Sequence, residues 1–88
     1  MSMVSNLVDR HIYDSCVSLG LCSRSHYSFS RLLSRTPSYF STICLTGKSI
    51  SADSLFRLTQ RLSQVPAAPV QFTDFVRRVA LERAGLGD

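Results

Sequence analysis

His11, Cys16, Cys22 and His26 form one set of side chains whose types could hold a zinc ion, at successive intervals of five, six and four residues. Structural zinc sites take their ligands in closely spaced pairs held by turns. Here the intervals match no usual finger, and the first two residues belong to one continuous helical pattern, so no metal is expected. Nor does enzymatic chemistry emerge. The six carboxylates include no spacing that suggests a catalytic pair, and there is no glycine-rich loop to cradle a phosphate. Serines are plentiful, but neither histidine comes with a base and an orienter for one of them. The chain is read as a non-enzyme without cofactor or metal, and what remains is the chemistry of binding.

The binding chemistry is cationic. Arg24, Arg31, Arg35, Lys48, Arg57 and Arg61 stand against Asp53 alone over residues 22–62, a local net charge of +5. Residues 1–21 carry a net −1 and residues 63–88 sum to zero, so the chain's overall +4 is concentrated in the middle. Such a concentration suits a surface that grips phosphates or an acidic partner. The plainer alternative is the ordinary solvated faces of short helices. Between Arg35 and Lys48 lie Ser38, Tyr39, Ser41 and Thr42, hydroxyls that could contact either kind of partner.

Apolar residues at three- and four-residue intervals predict an all-α domain to position these groups. Val4, Leu7, Val8, Ile12, Cys16 and Leu19 form the stripe of a first helix over 3–19, with Gly20 to stop it. His11 beside that stripe is expected to be a partly buried structural residue. Ser25 is the cap of a second helix that buries Phe29, Leu32 and Leu33. Residues 34–36 then read as a turn, with Thr36 as the next cap and Pro37 at the first helical position. A third helix over 37–45 turns Phe40 and Ile43 inward and ends at Gly47. Ser51 caps a fourth, whose stripe is Leu55, Leu58 and Leu62 with Phe56. A stiff, mostly extended Pro/Ala connector at 64–70 leads to a fifth helix over 71–84, carrying Phe72, Phe75, Val76, Val79 and Ala80; the last residues, 85–88, are expected to fray. That last helix either completes the core or offers Phe72 and Phe75 as an interface, for instance in a homodimer.

Eighty-eight residues suffice for one modest core. No apolar run is long enough to span a bilayer, and the opening MSMVSNLVDRH lacks the layout of a secretion signal. A cytoplasmic protein is expected. The odd cysteine count then reads as small apolar side chains in a reducing compartment.

Residues 25–62 resemble the lambda-repressor-like (Cro/CI, XRE) helix-turn-helix family. Ser25-His26 stands where that family prefers Thr-Gln, and Phe29-Ser30 stands for its Leu-Ala. Phe40 and Ile43 stand for the apolar pair of its recognition helix, and residues 55–62 for its closing helix. The run RTPSYFS is similar to one in short alphaproteobacterial proteins, some associated with quorum-sensing antiactivators of integrative and conjugative elements. The resemblance implies a four-helix repressor-like core over 1–63, followed by the connector and the fifth helix. Departures stand beside the matches: Ser34-Arg35 replaces Gly and an aliphatic residue, Cys44 replaces Glu, and Gly47 falls one residue late. Residues 37–45 also hold no Arg, Lys, Asn or Gln, the side chains that read base edges bidentately.

Two functions fit these residues. In one, an antiactivator-like protein captures a transcriptional activator through Tyr39 and Arg35, two residue types enriched at interface hot spots. In the other, a repressor docks helix 37–45 in the major groove of duplex DNA. Ser38, Tyr39, Ser41 and Thr42 would then face bases, while Arg24, Arg31, Arg35 and Lys48 hold phosphates.

Overall fold

The computed structural model describes the backbone of residues 3–85 and the side chains of residues 7–85. Val4, expected in the first stripe, and residues 86–88, expected to fray, lie outside what is described. The chain is all-α: α1 (Met3–Ser18), α2 (His26–Leu32), α3 (Tyr39–Thr46), α4 (Ala52–Leu62) and α5 (Val70–Arg83). No strand occurs among the described residues, and no helix among them is long and apolar enough to cross a membrane.

Two compact units divide the chain, Met1–Ile50 and Ser51–Asp88. The sequence reading grouped α4 with the first three helices; by contacts, α4 belongs with α5.

Local chemistry explains most helix ends. Ser25 Oγ accepts the Ser28 N–H at 3.1 Å and Ser51 Oγ accepts that of Ser54 at 3.3 Å, so each serine satisfies a donor the first turn leaves open. Gly20, at φ +77°, ends α1 in a paired closure: its own N–H reaches Val17 O, and Leu21 N–H reaches Cys16 O. The same closure ends α2, with Ser34 in the glycine position at φ +61°. Ser34 N–H bonds Arg31 O there, and Arg35 N–H bonds Ser30 O. A left-handed serine is strained relative to glycine, typically by about 1–2 kcal/mol.

Both expected uses of proline shift. Pro37 does not open α3, which begins two residues later at Tyr39. Instead, Tyr39 N–H bonds Thr36 O at 3.0 Å, and Pro37 occupies a turn that its fixed φ suits equally well. Ser38, rather than Thr36, sits at the cap position and makes no side-chain cap bond. The connector also turns rather than extends: Ala68 N–H bonds Val65 O at 3.1 Å, with Pro66 at the first central position.

Among the described residues of the first unit, Ile12, Tyr13, Cys16, Phe29, Leu33, Phe40, Ile43 and Ile50 are buried, together with Asp9 and Ser30. Two readings of α1 are corrected here. Leu7, assigned to the stripe, is 67% exposed, and His11, expected to be partly buried, is exposed. The buried face instead contains Asp9 and Tyr13. Asp9 Oδ2 accepts the Ile50 N–H at 3.0 Å, so a carboxylate on α1 holds the end of the unit, and α1 is rotated accordingly. In the second unit α4 packs on α5, and Leu55, Leu58, Leu62, Val76 and Ala80 are buried.

Candidate functional site

Ser30 joins α2 to α3. Its buried hydroxyl donates to His26 O at 2.7 Å and accepts the Phe40 N–H at 2.9 Å. The bond holds α3 at its first turn and brings Phe40 onto an aromatic cluster. The Phe40 ring meets Phe29 and His26 edge-on, both at 4.8 Å between centroids, and leans on Tyr13 at 5.3 Å. Edge-to-face contacts of this kind add to simple burial. Ser30→Ala removes the acceptor and leaves a buried N–H behind, so a loss of about 1–2 kcal/mol is expected in urea unfolding. An unchanged midpoint would show that this hydroxyl does not hold the joint.

Anchored by that joint, Tyr39 is half-buried at the start of α3, and the Arg35 guanidinium lies over its ring at 4.5 Å. A cation over an aromatic face is worth about 0.5–1 kcal/mol at such a partly open position. The contact holds a long side chain in one place. Ser38 and Thr42 are exposed, as is Lys48. Ser41 behaves differently: half-buried, it shares a hydrogen bond of 3.0 Å with His26 Nδ1. Its hydroxyl is therefore engaged within the unit rather than turned outward with Thr42.

The remaining cations differ in their engagement. Arg24 pairs with Asp14 at 3.2 Å and lies 5.9 Å from the Tyr13 centroid. Both partners of that pair are exposed, so it contributes little and can be exchanged for another anion. Arg31 reaches the Tyr27 hydroxyl, at 3.5 Å. Phe72 and Phe75 are half-buried on α5, the helix that packs on α4.

None of the three cysteines forms a disulfide. Burial, and then the neighbouring Cys22 thiol, push Cys16 up to about 12. Cys22 is also raised by burial, partly offset by Arg24. Burial raises exposed Cys44 as well, against the opposing pull of Arg10. All three stay protonated at neutral pH and make poor nucleophiles. Among the described residues, no group of three His, Cys, Asp or Glu side chains comes together as a metal site.

The chain matches no family model, no curated protein and no solved structure.

Sequence reasoning passed over Leu45, which is 88% exposed on α3. The signal was present: Leu45 lies two positions from inward Ile43, which on a helix puts it on the far side. Leu7 was missed as a surface residue for the opposite reason, since its spacing fits a core stripe.

Proposed function

We propose that the protein is a small helical regulator of gene expression that captures another protein, inhibiting a transcriptional activator in the manner of an antiactivator. Its working surface is Arg35, Tyr39 and the outward face of α3. The observation that carries this reading is the chemistry of that face. Ser38, Thr42, Cys44, Leu45 and Thr46 are exposed there, and α3 contains no guanidinium, ammonium or amide side chain. Base reading in the major groove depends on those groups. Protein interfaces instead concentrate energy on aromatic rings and arginines set in apolar surroundings. The resemblance adds a repressor-like helix-turn-helix, with α3 standing where such proteins carry a recognition helix. It also adds a setting, quorum-sensing control of conjugative-element transfer.

A DNA-binding repressor is the second reading, favoured by exposed Arg31 and Lys48, neither of which has a carboxylate partner among the described residues. Salt separates the two. Duplex held through Arg24, Arg31, Arg35 and Lys48 should lose affinity with a log–log slope of about −3 to −4. Under the capture reading that binding is weak and indifferent to sequence. A nanomolar footprint on one operator at physiological salt would overturn capture. Tagged protein should recover one transcription factor from its native host after nuclease treatment; recovery of DNA alone favours the repressor.

A further inference from the structure

A groove of about 240 Å³ lies between α1 and α3, lined by Leu7, Asp9, Arg10, Phe40, Ile43 and Cys44. It is smaller than the roughly 300–1,000 Å³ of small-molecule sites, so it suits an inserted side chain better than a cofactor. Its walls are mostly apolar, and Leu7 and Cys44 stand exposed at its rim. Of its two charged residues, Asp9 is turned inward onto the Ile50 N–H and is 2% exposed. Arg10 is exposed and makes no ion pair among the described residues.

Charge selects the occupant. Asp9 and Asp14 are the only carboxylates in residues 1–50; one is buried and the other pairs with Arg24. Arg10, Arg31, Arg35 and Lys48 face solvent or half-face it, in no ion pair with a carboxylate among the described residues. A second copy of the chain would bring an equally basic first unit against this one. Duplex DNA answers the charge but has no side chain to fill an apolar slot. An acidic amphipathic helix answers both, with a leucine-sized side chain in the groove and a carboxylate on Arg10.

We infer that the α1/α3 groove is the docking site for an acidic amphipathic helical segment of the captured protein. This rests on the capture reading and adds to it a second contact and a partner chemistry. The test uses the full chain and a synthetic helix-forming peptide with leucines on one face and glutamates on the other. Two control peptides exchange lysine for glutamate, or serine for leucine. Nuclear magnetic resonance should place the acidic peptide's shifts on Leu7, Ile43 and Cys44, with neither control binding comparably. Leu7→Glu and Arg10→Glu change exposed residues, so thermal unfolding should be unaltered while peptide affinity falls about tenfold or more. Equal binding of the lysine peptide, shifts confined to α5, or full affinity in Leu7→Glu would each overturn the groove. A host partner released by Tyr39→Ala but retained by Leu7→Glu overturns the groove and leaves capture standing. Groove-specific peptide binding with no protein recovered from the host does the reverse.

Discussion

Phe40→Ala is expected to lower the stability of the chain by about 3–5 kcal/mol, the range for emptying a buried phenylalanine site. Phe40 is 3% exposed, and its ring is the one that touches Tyr13, His26 and Phe29 together. Alanine removes a side chain to which α1, α2 and α3 all contribute neighbours, and those elements cannot all close the space at once. Domains of this size hold roughly 5–15 kcal/mol in total, so the variant should sit close to its unfolding transition. Urea titration followed by far-ultraviolet circular dichroism measures this directly. Phe40→Leu keeps most of the apolar volume but loses the edge-to-face geometry, so it should cost less, about 1–2 kcal/mol. A loss below about 1 kcal/mol for the alanine variant would contradict the burial of a ring that ought to cost several.

What the sequence disclosed and what it hid follow a physical division. Features decided within a few residues were legible. Ser25 and Ser51 cap because a serine hydroxyl reaches the third amide along, and Gly20 and Gly47 stop helices because φ is positive there. Phe40 and Ile43 turn inward as their spacing requires. Features decided across the chain were not. The face α1 buries depends on a bond from Asp9 to Ile50, forty-one residues away, and no local period announces it. Once Asp9 and Tyr13 are inside, the helix cannot also bury Leu7. Pro37 and Pro66 misled for another reason: a proline sets φ without choosing between a helix start and a turn. Ser34 takes the left-handed position that glycine usually fills, so the turn expected over residues 34–36 gave no sign of which residue would be left-handed. For the candidate surface, Arg35 and Tyr39 could be named from their types, yet their stacking could not. That Ser41 is held by His26 rather than facing outward depends on how α2 and α3 meet through Ser30.

The stacking carries the second large expectation. Tyr39→Ala should weaken the complex with the captured activator by about 2 kcal/mol or more, roughly 30-fold in affinity. Its cost to folding should be smaller, because the ring is half-buried and its contact with Arg35 is worth only about 0.5–1 kcal/mol. The difference arises because a partner desolvates both groups. A guanidinium already held over the ring at 4.5 Å loses less freedom on docking, and its attraction to the ring grows as water leaves. Arg35→Glu should do harm by another route, repelling an acidic partner patch and slowing association, and added salt should reproduce part of that loss in the unmodified protein. Tyr39→Ala removes apolar contact, so its effect should survive high salt and appear mainly in the dissociation rate. Surface plasmon resonance with the recovered partner separates these components. If both variants instead slow association equally and salt abolishes both effects, Arg35 and Tyr39 act only as a charged rim, and the centre of the interface lies elsewhere on the protein.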